Sequence, residues 1–203
     1  MTVPSGVLQA LNFLALTTGV LYAVLAARRN RFCWISGAVS SACAAVLAGL
    51  SQLPMQAALN VFYVGMSFYG WWSWARRSSE GELNVSLWPY AWHLGAAVAI
   101  VALSLGSAYL LRAGTAAAWP LLDSLTTFFS LLATWLAARG KLENWLYWVV
   151  INTVTIYLFA AQRMWGMAVL SALLTVIAVA GYITWRRRYR SQTDAQGATP
   201  VPA

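Results

Sequence analysis

Amide side chains alternate with aromatic rings along two apolar segments of the sequence, residues 54–75 and 144–161. Within each segment these residues recur three or four positions apart, a spacing that places them on one face of an α-helix. The first stripe comprises Gln56, Asn60, Tyr63, Ser67 and Trp71, and the second comprises Asn144, Trp148, Asn152, Thr155 and Phe159. An amide facing lipid would leave its hydrogen-bonding groups unpaired, so both stripes are predicted to face neighbouring helices.

Such stripes are typical of two different uses. Rings stack on the flat part of a ligand and amides fix its edges, which suits a planar, polar molecule that is uncharged or singly charged. Alternatively, the same groups form hydrogen bonds between helices and bind nothing. If they form a binding site, its candidate residues are Gln56, Asn60, Trp71, Asn144, Trp148 and Asn152.

Ionisable side chains inside the apolar segments are few. Asp123 is the only acid clearly inside one, near the outer end of the fifth segment, and it is a further candidate binding residue. His93 lies near the inner end of the fourth segment, so the two residues are not expected to share the site of an intramembrane enzyme. One acid and one histidine do not form a relay across the bilayer, and neither a proton pathway nor a coupling-ion site is predicted.

Motifs for nucleotide or metal chemistry are missing from the sequence. It contains neither Gly-Lys-Ser/Thr nor a His-Glu pair, which disfavours ATP-driven transport and metal-dependent hydrolysis. We therefore expect no cofactor, no metal and no enzymatic activity. A seven-helix photoreceptor would need a buried lysine for a Schiff base, but the only lysine, Lys141, lies in a connection between segments.

The composition indicates what kind of elements carry the stripes. Of 203 residues, 61% are hydrophobic and 9% are charged, and the mean hydropathy is +0.64, so polar residues are too few to cover a water-facing surface. Seven apolar runs are long enough to cross a bilayer. They span about 6–27, 32–50, 54–75, 88–111, 117–138, 144–161 and 164–185. The sequence thus predicts an all-α integral membrane protein with seven transmembrane helices, the first retained because no basic residue precedes it.

The basic residues predict the orientation of the chain. Eleven of the 13 Lys and Arg flank the segments on one side, and only Arg112 and Arg163 lie on the other. The positive-inside rule then places the N-terminus outside the cell (inner) membrane and the C-terminus in the cytoplasm. The net charge of +8 is divided among short clusters beside apolar segments, which suits anionic lipid rather than nucleic acid. Residues 191–203 are predicted to form a disordered cytoplasmic tail.

Tryptophans and glycines near the segment ends have simpler interpretations. Most of the 12 tryptophans are predicted to form the aromatic belt at the membrane interfaces. Those near the predicted inner interface include Trp34, Trp74, Trp145 and Trp185. Gly70 and Gly181 allow either close contact between helices or a hinge.

The sequence repeats itself at one constant offset, which we call the repeat offset and define as the step from Trp34 to Trp145. At this offset Ala26-Ala27-Arg28 falls on Ala137-Ala138-Arg139, and the segment 70–77 falls on 181–188. Because the first and fifth segments cross the membrane in the same direction, the repeats are parallel and need one helix between them. We therefore expect one domain over 1–190 with a 3+1+3 arrangement: repeat one at about 6–77, a linker helix at 88–111 and repeat two at 117–188.

Some of these residues carry a resemblance to a known family. Tyr-Gly-Trp-Trp-Ser-Trp at 69–74, Asp123 after Pro120, and Glu143-Asn144-Trp145 with Trp148, Asn152 and Gln162 resemble the PnuC-type nicotinamide riboside transporters. The resemblance extends over all seven segments and implies a 3+1+3 fold like that of the SWEET sugar carriers. It also implies facilitated diffusion of a vitamin, which a cytosolic kinase then traps by phosphorylation.

The resemblance assigns substrate binding to Asn144, Trp148 and position 60. Position 60 is Asn where nicotinamide riboside carriers of the family have Gln, and Ala180 stands where some have Asn. Relatives of the same fold carry thiamine, riboflavin or deoxynucleosides. Nicotinamide riboside is the first expected substrate and thiamine the second, a homo-oligomer is compatible with the sequence, and a membrane scaffold without a ligand remains the alternative of a different class.

Overall fold

The seven apolar segments of the sequence form seven α-helices in the part of the chain that the structure, a computed structural model, describes: residues 4–51, 54–79, 82–112 and 120–197. The helices are α1 (Ser5–Ala27), α2 (Cys33–Leu50), α3 (Pro54–Arg77), α4 (Tyr90–Arg112), α5 (Pro120–Ala138), α6 (Asn144–Ala161) and α7 (Trp165–Gly197). A two-residue antiparallel ladder, β1 (Ser78–Ser79) with β2 (Glu82–Leu83), follows α3. Six of these helices, all except α3, are long and apolar enough to cross a membrane.

Helix α7 is longer than the sequence predicts. It continues to Gly197, where an end near residue 185 and a disordered tail from residue 191 were expected, so helix replaces the first part of that tail. Gln192 explains the extension, because its side chain donates to Asn84 Oδ1 at 2.8 Å and accepts from the backbone N–H of Val85 at 3.2 Å. These bonds attach α7 to the connection between α3 and α4. Residues 198–203 lie outside the described part of the chain.

Six helices form a closed ring. Helix α1 packs on α2, α2 on α3, α3 on α5, α5 on α6, α6 on α7, and α7 packs back on α1. Helix α4 packs mainly on α5 and lies outside this ring. The contacts between the first three and the last three helices are α1 with α7 and α3 with α5, which is the pairing expected if the two groups repeat one another.

Helix boundaries recur at the repeat offset that the sequence predicts. Helix α2 begins at Cys33 and α6 at Asn144, while α1 ends at Ala27 and α5 at Ala138. After α1 and α5 the chain turns through a residue of positive φ, Arg29 at 59° and Gly140 at 64°. The C-terminal ends of α1 and α5 form the same backbone hydrogen bonds of a Schellman motif. In each, a backbone N–H donates to the carbonyl five residues before it. These matched features support the predicted repeat.

Four tryptophans form a buried core at one end of the ring, which we call the tryptophan core: Trp34, Trp74, Trp145 and Trp185. Neighbouring rings along the series Trp34, Trp74, Trp185, Trp145 lie 5.5–5.8 Å apart. Trp74 Nε1 donates to Ala137 O at 2.9 Å, and Trp185 Nε1 donates to Ala26 O at 3.0 Å, so the two donors, like the two acceptors, are related by the repeat offset. The prediction that these four tryptophans belong to the aromatic belt at the membrane interface is therefore wrong, because packing between the two halves of the ring buries them.

Most cations lie at this same end, which we call the basic end. They are Arg28, Arg29, Arg31, Arg76, Arg77, Arg139, Lys141, Arg186, Arg187, Arg188 and Arg190. Arg77 Nη1 donates to Arg139 O at 3.0 Å, and Lys141 Nζ donates to Leu87 O at 2.8 Å. Burial lowers the pKa of Lys141, and the nearby positive charge of Arg77 adds to this lowering.

Candidate functional site

Two adjoining cavities lie inside the ring beside the tryptophan core. The first, the carboxamide cavity, has a volume of about 140 Å³ and is lined by Asn144, Trp148 and Asn152 of α6 together with side chains of α1, α5 and α7. The second, the hydroxyl cavity, has about 130 Å³ and is lined mainly by α1, α2 and α3. Gly19, Tyr22 and Trp148 line both cavities, so the two are neighbouring parts of one site.

Helix α6 positions the amides and the ring of the carboxamide cavity. Asn144 is its first residue and is 1% exposed, and its Nδ2 donates to Lys141 O at 2.6 Å, which uses one of the two N–H groups of the amide. Trp148 follows one turn later, and the buried Asn152 one turn after that. The two carboxamides are therefore separated by about 12 Å along the helix, with the indole between them.

Hydroxyl groups characterise the hydroxyl cavity. Its polar lining residues are Tyr22, Ser40, Ser41, Tyr63, Ser67 and Thr134. Ser40 Oγ donates to Ala15 O across the α1–α2 contact at 2.7 Å, and Ser67 Oγ donates to Tyr63 O at 2.9 Å. Helices α1 and α2 approach closely here, because a Cβ atom on Gly19 would lie 3.0 Å from Ser40 Oγ. The cavity is thus bounded by small polar side chains held on closely packed helices.

Three of the seven candidate binding residues come together in this structure, namely Asn144, Trp148 and Asn152. The other four line neither cavity: Gln56, Asn60, Trp71 and Asp123. Gln56 and Asp123 are exposed, and Asn60 donates to Gln56 O within its own helix at 2.9 Å.

Trp71 packs at the basic end and not in a cavity with the amides of α6. Its ring lies 4.8 Å from the guanidinium carbon of Arg31 and 5.5 Å from the ring of Phe32. From the first stripe, only the middle residues Tyr63 and Ser67 line the hydroxyl cavity, and none lines the carboxamide cavity. The prediction that this whole stripe faces neighbouring helices is therefore correct for its middle part and wrong for Gln56, which is exposed.

Several lining residues were not among the sequence candidates. Tyr22 lines both cavities, and Ser40, Ser41 and Thr134 line the hydroxyl cavity. Single serines and threonines in an apolar helix give no stripe, which is why their spacing did not point to them. The repeat offers a signal, since the repeat offset places Ser41 on Asn152.

A larger groove of about 550 Å³ opens on the outside of the ring between α4, α5 and α6. Its walls are apolar, and lining residues such as Val150 are exposed on the outer surface. At one end His93 Nδ1 lies 2.8 Å from Tyr147 Oη, and Glu143 Oε1 accepts from the N–H of Trp88 at 2.9 Å. The first contact attaches α4 to α6, and the second joins residues that lie just before these two helices. Among the described residues, no group of three or more His, Cys, Asp or Glu could hold a metal ion.

Comparison with known proteins places the chain among membrane transporters. The sequence profile of a family described as "Nicotinamide mononucleotide transporter" matches residues 9–187. The "Nicotinamide riboside transporter PnuC" of Escherichia coli K12 is 31% identical over 160 residues, which cover 66% of this chain and 67% of the relative. The protein of the same name from Neisseria mucosa is 28% identical over 189 residues, covering 85% of this chain and 70% of the relative.

A solved structure has the same fold. It is the "Crystal structure of the Vitamin B3 transporter PnuC", with a TM-score of 0.72 and 23% sequence identity. The likeness covers 89% of this chain and 82% of the other.

Proposed function

Because the chain belongs to the nicotinamide mononucleotide transporter family, we propose that it carries nicotinamide riboside across the cell membrane. Membership of a transporter family makes it a multi-pass membrane protein with a small-molecule substrate. The carriers from E. coli and Neisseria mucosa are named for nicotinamide riboside, which suggests the substrate. The observation that supports this substrate most is the composition of the carboxamide cavity, with a tryptophan between two asparagines.

Nicotinamide riboside matches these groups chemically. Its pyridinium ring is flat, carries one positive charge and bears a carboxamide. An indole stacks on such a ring and attracts its charge through the π-face. Asn144 and Asn152 each offer donors and acceptors at opposite ends of the indole, so one of them can bind the substrate's own carboxamide. Trp148 and the two asparagines are therefore proposed to bind the nicotinamide part.

The lining also favours the riboside over the phosphorylated mononucleotide. No Lys or Arg is among the residues that line either cavity in the described part of the chain. A phosphate carries a charge of about −1.5 to −2 at neutral pH, and burying it without a cation beside it is strongly unfavourable. A singly charged pyridinium suits a neutral, aromatic lining better than a phosphate does.

We further propose that transport is facilitated diffusion through two parallel repeats in a 3+1+3 arrangement. The recurrence of helix ends and of tryptophan hydrogen bonds at the repeat offset supports this arrangement. The basic end is proposed to be cytoplasmic, with the N-terminus outside. A cytosolic kinase would phosphorylate the imported substrate and so keep its free concentration inside the cell below that outside.

Titration calorimetry on detergent-purified protein tests the substrate. We expect saturable binding of nicotinamide riboside and at least tenfold weaker binding of nicotinamide mononucleotide, because its phosphate finds no cation. Thiamine has a single hydroxyl and no carboxamide, so it too should bind more weakly. Preferential binding of thiamine would mean that Asn60 and Ala180 accompany a change of substrate, and equal binding of the mononucleotide would contradict the proposed site.

A further inference from the structure

The two cavities are repeat-related copies of one another. Shifting residues of the hydroxyl cavity by the repeat offset gives residues of the carboxamide cavity. Trp34, Gly37, Ser41, Tyr63 and Ser67 correspond in this way to Trp145, Trp148, Asn152, Leu174 and Ala178. In the opposite direction, Ala23 of the carboxamide cavity corresponds to Thr134 of the hydroxyl cavity. The protein therefore holds two versions of the same site side by side.

These two versions differ systematically in chemistry. Where the carboxamide cavity has the indole of Trp148, the hydroxyl cavity has Gly37, which has no side chain. Three apolar residues of the carboxamide cavity correspond to hydroxyl-bearing residues of the hydroxyl cavity. They are Leu174, Ala178 and Ala23, which become Tyr63, Ser67 and Thr134. The carboxamide cavity thus suits a flat ring, and the hydroxyl cavity suits a ligand that forms hydrogen bonds with hydroxyl groups.

Gly37 keeps the hydroxyl cavity open. A Cβ atom at this position would lie 2.9 Å from Cδ2 of Tyr22 and 3.4 Å from Ser67 Oγ. Even a methyl group would therefore push against the ring that lines both cavities. Anything as large as the indole in the equivalent position would occupy the cavity itself.

The hydroxyl groups present acceptors to this space. Ser67 Oγ donates to Tyr63 O, Thr134 Oγ1 donates to Ser130 O at 2.8 Å, and Ser40 Oγ donates to Ala15 O. A hydroxyl has one donor and two acceptor lone pairs, so a hydroxyl that donates to the backbone still accepts. Several acceptors around one small space suit a ligand with several O–H donors, and a sugar is such a ligand.

We propose that the hydroxyl cavity is the subsite for the sugar part of the substrate, and that Gly37 is the position that determines access to it. This assignment rests on the proposed function, in which the carboxamide cavity binds the nicotinamide ring. The two repeats have then diverged so that each binds one half of a ribosylated base. Tyr22 and Trp148 line the boundary where the glycosidic bond would lie.

The substitution Thr134→Val tests the subsite without changing side-chain shape. Affinities for nicotinamide riboside and for nicotinamide, which lacks the sugar, are measured by calorimetry and by displacement of labelled riboside. We expect Thr134→Val to weaken riboside binding about three- to tenfold, the effect of one lost hydrogen bond, and to leave nicotinamide binding unchanged. Thr175→Val is the matched control, because Thr175 donates to Ser171 O in the same way but lines neither cavity.

Filling the cavity gives a second, larger effect. Gly37→Val should weaken riboside binding more than tenfold while nicotinamide binding falls much less, because the ring subsite is retained. Ser67→Ala supplies a mild variant in case Gly37→Val does not fold, and its riboside binding should fall about threefold. Equal changes for riboside and nicotinamide in these variants, or no change for either, would overturn the subsite. If the unaltered protein binds no riboside, the proposed function itself fails, and this inference with it.

Discussion

Trp148 is the residue on which the candidate site depends most. It lies one helical turn from Asn144 and one from Asn152, and it lines both cavities. Its counterpart in the other half of the ring is Gly37, so this pair of positions supplies one indole and not two. In the proposed site, this asymmetry would favour a single orientation of the bound ligand.

Replacing this indole predicts a loss of affinity. Trp148→Leu should weaken binding of nicotinamide riboside by about 1 kcal/mol or more, about fivefold or more, because stacking on the pyridinium is lost. Trp72→Leu is the control, since Trp72 is 53% exposed and packs on Arg76 outside both cavities. Dissociation constants of the two variants are measured by calorimetry. Equal affinities in the two variants would rule out stacking on Trp148.

Residue spacing predicted part of the site and missed the rest for a physical reason. A stripe of polar residues fixes which residues share a helix face, and on α6 the neighbouring helices cover that face from Asn144 to Asn152. On α3 they cover only the middle of the face, so Gln56 stays exposed while Ser67 is buried. How far neighbours cover a face depends on helix packing, which spacing does not contain.

At the scale of helices, contacts between a glycine of one helix and a tryptophan ring of the next determine how closely the two helices pack. Gly70 on α3 faces the ring of Trp34 on α2, and Gly181 on α7 faces the ring of Trp145 on α6 in the equivalent place. A Cβ atom on Gly181 would lie 2.8 Å from that ring. Both glycines therefore serve close contact between helices, the first of the two uses that the sequence allowed.

This contact predicts a large effect of one methyl group on stability. Gly181→Ala should destabilise the protein by about 1–3 kcal/mol, because the tryptophan core has no room for the methyl group. Gly95→Ala on α4 is the matched control, since nothing lies within 4 Å of its added Cβ, and alanine favours the helix by about 0.5–1 kcal/mol. Apparent melting temperatures in detergent should fall for the first and stay or rise for the second. The opposite order would contradict the packing described.

Helix positions were largely predictable because the bilayer fixes their length and composition. Helices α1, α2 and α6 begin and end within one residue of the predicted segments. The exception is the end of α7, where the sequence becomes polar and gives no apolar signal. There the helix continues because Gln192 bonds to Asn84 and Val85, which are far away in the sequence. Contacts of that range are invisible to local composition.

At the scale of the whole molecule, both halves of the ring are joined at the basic end. Trp74 and Trp185 each donate to a backbone carbonyl of the opposite half, and Arg77 bonds to Arg139 O. The backbone of Ser86 also pairs with Gly140 and Leu142, which seats the α3–α4 connection on the α5–α6 connection. In the proposed transport cycle, we expect these bonds to open when substrate is released at this end.

Uptake into sealed proteoliposomes that contain no kinase tests the central claim of facilitated transport most directly. With equal pH and ion concentrations on both sides, and with the membrane potential held at zero by potassium and valinomycin, labelled nicotinamide riboside should enter until its inside and outside concentrations are equal. Proton and sodium ionophores should leave both the rate and the final level unchanged, and Trp148→Leu should slow entry at low substrate concentration. Uptake no greater than in protein-free vesicles, or accumulation above equal concentrations when a proton or sodium gradient is imposed while the membrane potential is held at zero, would contradict the account.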